Sequence, residues 1–283
     1  MAAASNGNDF LPAMAVASRA RVEVARAALD ETELRARALA SAVPPQLPLS
    51  ARRFDLIAEV KFRSPTSGQL REGSESSVLA RVAGYAEAGA AAVSVLTEPS
   101  RFDGSMRHLE LAVRALAGRI PAMRKDFLVD PYQILETRLA GAGGVLLILR
   151  MLGEAQIAAL LECALELKLF VLLEAFDEAD IARATVLVNQ YRTAGQLLVG
   201  LNCRDLHTLK VVPGRLEQLA RTLPDSVPRV AESGVATAAD AGRIAVAGYE
   251  LALVGTALME ALEPLQLVRA MLSAGRNERA RRS

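Results

Sequence analysis

A chain of 283 residues, 52% hydrophobic and 23% charged, has enough apolar mass for one large core or two modest ones. Its formal net charge of +1 gives no footing for a nucleic-acid partner. No apolar run approaches the ~20 residues that span a bilayer, so no membrane partner is expected either. Cys163 and Cys203 lack CxxC spacing and sit in apolar surroundings, which fits a reduced, cytoplasmic protein without structural disulfides. His108 and His207 have no ligand-spaced neighbour, so no metal site is expected. "MAAASNGNDFLPAMAV" has no basic segment followed by a sustained apolar one and does not read as a secretory signal.

In chain order, residues 1–50 read as a helical extension and linker, not as an independent domain. Positions 15–42 are rich in Ala, Arg and Glu and predict two short helices. "DETE", Asp30 to Glu33, supplies an N-cap and a capping-box acid for the second, and "VPPQLP", Val43 to Pro48, ends it. Between 51 and 275, short apolar runs alternate with longer amphipathic stretches. The eight runs are "LIAEVK", "AAVSVLT", "PAMRK", "GVLLILR", "FVLLEA", "LLVGLN", "PRVAES" and "LALVGT", and their ends carry Lys61, Thr97, Lys125, Arg150, Glu174, Asn202, Glu232 and Gly255. Those ends recur at intervals of roughly 23 to 36 residues, the length of one strand, one helix and two short loops. Eight such units predict a closed (β/α)8 TIM barrel, with functional groups gathered at the strand C-termini. An open doubly wound sheet is the competitor, but "KFRSPTSG" after the first run is not the GxGxxG phosphate loop of such sheets. Residues 276–283 are expected to be a solvated basic tail.

Side chains alternate along a strand, so Glu59 and Lys61 share one face with Ile57, while Leu56, Ala58 and Val60 face the helices. The same parity turns Met123 and Lys125 inward, with Leu172 and Glu174, and with Gly200, Asn202 and Arg204. A charged cluster therefore converges on the barrel mouth from four strands. A buried ion-pair lattice that merely fills this end is the alternative, although buried pairs rarely outperform apolar packing. The last two runs end in Ser233, Gly234, Gly255 and Thr256, small residues whose backbone N–H groups can approach an oxyanion, where barrels often bind phosphate. Asp130 and Pro131 suit the N-cap and first position of a helix and need no functional reading. Asp126 could hold Lys125 in an ion pair or cap the turn, and Asp205 after Arg204 has the same two readings.

With these residues identified, the chain resembles the indole-3-glycerol phosphate synthase family. "IAEVKFRSP", "SVLTEPSRFDGS", "RKDFLVDPYQ", "LNCRDL", "ESGV" and "LVGTALM" match that family's motifs in order from the first strand to the eighth. "RKDFLVDPYQ" is the most specific of them, whereas "ESG" and "VGTALM" occur in other phosphate-binding barrels. The resemblance implies ring closure of 1-(2-carboxyphenylamino)-1-deoxyribulose 5-phosphate with release of carbon dioxide and water. It also implies roles: Lys125 as general acid, Glu174 as general base, and Lys61 near the substrate carboxylate and phosphate. Glu59, Asn202, Arg204 and Glu232 match supporting polar positions. Ser64, Ser233, Gly234, Gly255 and Thr256 fall on phosphate-binding segments, and Phe102, Phe127 and Leu206 would surround the anthranilate ring. The implied partner is a small phosphorylated substrate, with no cofactor and no metal, and the chain acting as a monomer or homodimer.

Four departures accompany the match. Gly143 and Gly144 replace the frequent Ala-Asp, which is expected to loosen the entry to the fourth strand. Ala175 and Phe176 stand where Val-His is frequent, Cys203 fills a variable position, and Thr66 replaces a Ser. None removes a proposed catalytic group. The alternatives are an inactive or secondary-metabolism paralogue, or another phosphate-binding barrel such as phosphoribosylanthranilate isomerase. The last would want a Cys near the end of the first strand, where this chain has Lys61.

Overall fold

A computed structural model describes residues 10–49, 54–64, 68–70, 74–205 and 208–281, with Ser64 defined by its backbone alone. Eight strands form one closed parallel barrel: β1 (Asp55–Val60), β2 (Ala92–Leu96), β3 (Ala122–Lys125), β4 (Gly144–Ile148), β5 (Phe170–Ala175), β6 (Leu197–Asn202), β7 (Arg229–Glu232) and β8 (Leu251–Val254). Each strand pairs with its neighbours in sequence, and β8 returns to β1 through Asp55↔Leu251 to Ala58↔Val254. The expected (β/α)8 architecture is therefore present.

Alternation along the strands separates two apolar layers. Leu56, Ala58, Val60, Val145, Leu147, Val171 and Leu173 pack outward against the helices. Ile57, Met123, Leu146, Leu172, Leu198, Val230 and Leu251 fill the barrel interior. This is the parity expected from "LIAEVK", and it follows from the period-2 geometry of an extended chain.

Among the described residues, two helices precede the barrel, α1 (Phe10–Ala28) and α2 (Glu31–Ala40). The first begins earlier than composition suggested, because Leu11, Met14, Ala15, Ser18 and Val22 form a buried stripe at helical spacing. Asp30 caps α2 by accepting from the N–H groups of Thr32 and Glu33. The linker that follows is strapped beneath the barrel. Arg138 donates to the Ser41 hydroxyl (2.6 Å) and the Ala42 carbonyl (2.6 Å), Gln196 donates to the Leu47 carbonyl (3.0 Å), and buried Leu47 joins the interior layer.

Two expectations are corrected. The Gly143–Gly144 entry to β4 is filled, not loosened: the Phe170 ring occupies the place a Cβ on Gly144 would take, and the Pro45 carbonyl lies 2.9 Å from that position on Gly143. The basic segment from residue 276 is not a free tail through Ala280, because it completes helix α12 (Pro264–Ala280). Arg276 pairs with Asp55 (2.8 Å) and Arg279 with Glu250 (2.7 Å), which fastens its cations to the barrel.

The remaining helices are α3 (Glu75–Glu87), α4 (Pro99–Phe102), α5 (Met106–Leu116), α6 (Pro131–Leu139), α7 (Glu154–Glu166), α8 (Glu178–Tyr191), α9 (Arg215–Leu219), α10 (Ala238–Ala247) and α11 (Thr256–Glu260). Asp130 caps α6 by accepting from Tyr132 N–H, with Pro131 in its first turn. Among the described residues, no helix is long and apolar enough to cross a membrane.

Candidate active site

A cavity of about 360 Å³ opens at the C-terminal ends of the strands. One part of its lining is polar, with Glu59, Lys61, Lys125, Glu174, Asn202, Arg204 and Glu232, and another is apolar, with Phe10, Leu11, Phe102, Phe127, Ile148 and Phe176. Strand parity brings the polar residues together from β1, β3, β5, β6 and β7. Lys125 ends β3, with its Nζ 3.5 Å from Glu174 Oε1 and 3.6 Å from Glu232 Oε2. Lys61 follows β1 and pairs with Glu59 at 2.8 Å. Asn202 donates from Nδ2 to Glu174 Oε1 (2.8 Å), while its own carbonyl oxygen accepts from Arg204 N–H (3.0 Å).

Two glycines make room for this packing. A Cβ on Gly200 would collide with the Glu232 carboxylate, and one on Gly255 would collide with that of Glu59. The absence of side chains at these points lets carboxylates from neighbouring strands enter the barrel mouth. Gly255 was expected as a strand end and on phosphate-site grounds, and the structure adds that it accommodates Glu59.

Three buried carboxylates, Glu59, Glu174 and Glu232, converge on Lys61 and Lys125, while Arg204, the third cation of this lining, donates to the Leu209 carbonyl (2.6 Å). Neither Glu232 oxygen receives a hydrogen bond from the described residues. Burial, followed by the nearby Glu174 carboxylate, raises its pKa well above the usual carboxylate range despite the opposing effect of Lys125. Burial alone would lower the Lys125 pKa, but Glu174, Glu232 and Glu59 together outweigh it and the net shift is upward. Lys125 is thus a firmly protonated cation held by carboxylates, and Glu232 is a group that retains a proton well above the pH where an exposed glutamate loses it.

At the other side, Ser233 and Gly234 follow β7 with φ of 65° and 71°. A left-handed Ser is uncommon and strained, and here it turns the chain sharply beside the cavity. Ser233, Gly234, Gly255, Thr256 and Ala257 line the same stretch of wall. Ser64 lies in a two-residue antiparallel pairing with Gly68, and Leu206 is outside the described residues.

The aromatic lining is only partly legible in sequence. Phe102 and Phe127 are both present, 6.2 Å apart between ring centroids. Phe10, Leu11 and Phe176 were not anticipated. Phe10 comes from α1 and meets Phe127 edge-on at 5.8 Å. Phe176 is only two residues beyond Glu174, and its alternation with that residue was the available signal. Arg150 covers its ring at 4.6 Å and pairs with Asp177 and Asp180, both at 2.6 Å. Arg150 therefore sits in a short 3-10 turn outside the barrel mouth, and β4 contributes only Leu146 and Ile148 to the cavity.

The model of the indole-3-glycerol phosphate synthase family matches residues 12–271. The chain belongs to the indole-3-glycerol phosphate synthase family. Proteins of that name share 43% identity in Parafrankia sp. over 80% of this chain and 81% of that protein, and 41% in Leifsonia xyli over 84% and 89%. The relative from Mycobacterium sp. strain KMS is 40% identical over 91% of both chains. Among solved structures, 3-hexulose-6-phosphate synthase from Salmonella typhimurium superposes with a TM-score of 0.59 at 13% identity, covering 80% of this chain and all of that one. Dihydropteroate synthase from Yersinia pestis gives 0.60 at 16%, covering 83% and 96%. At such identities these structures speak for the barrel alone. The family match takes in most of α1 and all of α2, so the helical extension belongs to the matched unit.

Proposed function

We propose that this chain closes the indole ring of 1-(2-carboxyphenylamino)-1-deoxyribulose 5-phosphate, releasing carbon dioxide and water to give indole-3-glycerol phosphate. One observation carries the assignment of roles: Lys125 lies within 3.6 Å of both Glu174 and Glu232 in a cavity that also has an aromatic wall. The ring carbon bearing the carboxylate must attack the ribulose C2′ carbonyl. As that oxygen gains negative charge it becomes more basic than an amine. A lysine with a raised pKa can therefore stabilise it in a largely dry site and then protonate it. Carbon dioxide leaves and restores the aromatic ring. The new hydroxyl then departs with a proton from the neighbouring carbon, and Glu174, oriented by Asn202, is the base for that proton.

Lys61 takes the region of the substrate carboxylate and phosphate, with Glu59 fixing its ammonium. Ser64, Ser233, Gly234, Gly255 and Thr256 surround the phosphate, and Arg204 and Glu232 complete the polar wall. Phe102 and Phe127, with Leu206, hold the anthranilate ring. No step draws on an electron sink or a metal. The reaction is placed in the cytoplasm, with the chain acting as a monomer or homodimer.

The division between acid and base is tested by Glu174→Gln, which keeps one acceptor but cannot take a proton at neutral pH. Rapid quench is expected to show carbon dioxide appearing before the fluorescent indole, with a hydrated intermediate between them. Equal slowing of both signals would place Glu174 at or before carbon–carbon bond formation and overturn its role as the dehydration base.

A further inference from the structure

We infer that Arg21 is a positioning residue for the aromatic wall of the site, acting through Asp126. The inference builds on the substrate reading above, but its geometry stands apart from it. Asp126 was expected either to hold Lys125 or to cap a turn. Lys125 pairs instead with Glu174 and Glu232, and Asp126 takes one backbone N–H of the turn together with three side chains from elsewhere. Oδ1 accepts from Arg21 Nη2 (2.6 Å) and from Phe127 N–H (2.8 Å), and Oδ2 accepts from Thr97 Oγ1 (2.7 Å) and Arg124 Nη2 (3.3 Å). One buried carboxylate thus joins α1, the segment after β2, β3 and the backbone of Phe127.

Arg21 lies on the same helix as Phe10, about three turns and ~16 Å along the axis from it. The two ends of that span meet adjacent residues of one loop: Arg21 reaches Asp126, and the Phe10 ring packs edge-on against Phe127. Arg21 also comes within 3.7 Å of the buried Glu98 carboxylate, which caps α4, the helix that carries Phe102. A helix is stiff along its axis, so fixing Arg21 on Asp126 sets how far Phe10 and Leu11 project over the cavity. The pair is separated by 105 residues in sequence and touches no reacting group, while Asp126 is flanked by Lys125 and Phe127. Its effect on catalysis should therefore appear as substrate affinity, because the Asp126 side chain bonds to Arg21, Thr97, Arg124 and the Phe127 backbone, and none of these bonds runs to Lys125, Glu174 or Glu232.

The test is a double-mutant cycle between Arg21→Ala and Phe10→Ala, read in KM and kcat with the carboxyphenylamino-deoxyribulose phosphate. Arg21→Ala is expected to raise KM about tenfold with kcat within about twofold, and Arg21→Lys to recover most of the loss. In the Phe10→Ala background, adding Arg21→Ala should raise KM by less than about twofold, because the contact it positions is already gone. Hydrogen exchange supplies a readout that needs no substrate: the α1 amides should exchange faster in Arg21→Ala and return toward the parent in Arg21→Lys. Additive KM effects in the double variant, or unchanged exchange along α1, would overturn the inference. A parent protein that leaves this substrate untouched would sink the reaction assignment instead, and the exchange comparison would still decide the role of Arg21.

Discussion

The two ends of the barrel use the same alternating strands for opposite purposes. At the N-terminal end, inward positions are Phe170, Leu198 and Leu251, closed below by Leu47 of the linker strap. At the C-terminal end, equivalent positions one or two steps further along are Glu59, Lys125, Glu174, Asn202 and Glu232. The first end is apolar and plugged, and the second gathers three carboxylates around two lysines. Buried ion clusters seldom improve on apolar packing, so the charged end costs stability that the plugged end offsets. The contrast shows how a barrel can hold a polar site without losing its core.

The largest expected effect separates the ends by activity. Lys125→Met should lower turnover about 10²–10⁴-fold in an indole-fluorescence assay. The thermal melt should stay close to that of the parent, since the buried Glu232 already favours its neutral form and does not need the cation to stay buried. A variant with near-normal turnover would reduce Lys125 to a structural role.

Phe170→Ala attacks the other end. Losing the ring that fills the space beside Gly144 should cost about 3–5 kcal/mol in urea unfolding. The kcat of the folded fraction should remain within about twofold of the parent. A large fall in kcat would mean that the two ends are mechanically coupled.

Gly255→Ala asks whether close packing at the mouth matters. Its Cβ would collide with the Glu59 carboxylate, which must swing away and release Lys61. A loss of about tenfold to 10²-fold in kcat/KM is expected, with little change in melting temperature. Unchanged kinetics would show that the Glu59–Lys61 geometry is not required.

The smallest effect is a pH slope. The folded state keeps the Glu232 proton where the unfolded chain has released it, because the native pKa lies above the ordinary value. The associated stability is present below the unfolded carboxylate pKa and is lost as pH rises through the folded one. Urea unfolding across that window should show stability falling with pH in the parent and a flatter profile in Glu232→Gln. Equal slopes would assign the retained proton to another group.

Much of this was written in local pattern. Period-2 alternation in "LIAEVK" and "FVLLEA" placed Glu59 and Glu174 inside, and the regular spacing of the strand ends closed the barrel around them. That reading marked Arg150 only as the end of an apolar run, and Asp177 and Asp180 hold its guanidinium away from the cavity. Composition failed for the last basic segment, where it suggested solvent but Asp55 and Glu250 supplied partners. Charge and composition are local quantities, whereas partners are not.

What the sequence determined by itself was the strand–helix alternation, the inward face of each strand and the chemical types at the barrel mouth, since these depend only on neighbours along the chain. What the tertiary structure decided was which groups share a proton or a wall. The upward shift of Glu232 arises only when the fold buries it and neighbouring strands bring Glu174 and Glu59 beside it. Phe10 reaches the site because α1 folds across the barrel mouth, held by contacts such as Arg21–Asp126, Arg26–Asp130 and Gln133–Ser18. Both depend on contacts between residues far apart in sequence, and side-chain periodicity carries no information about such distances.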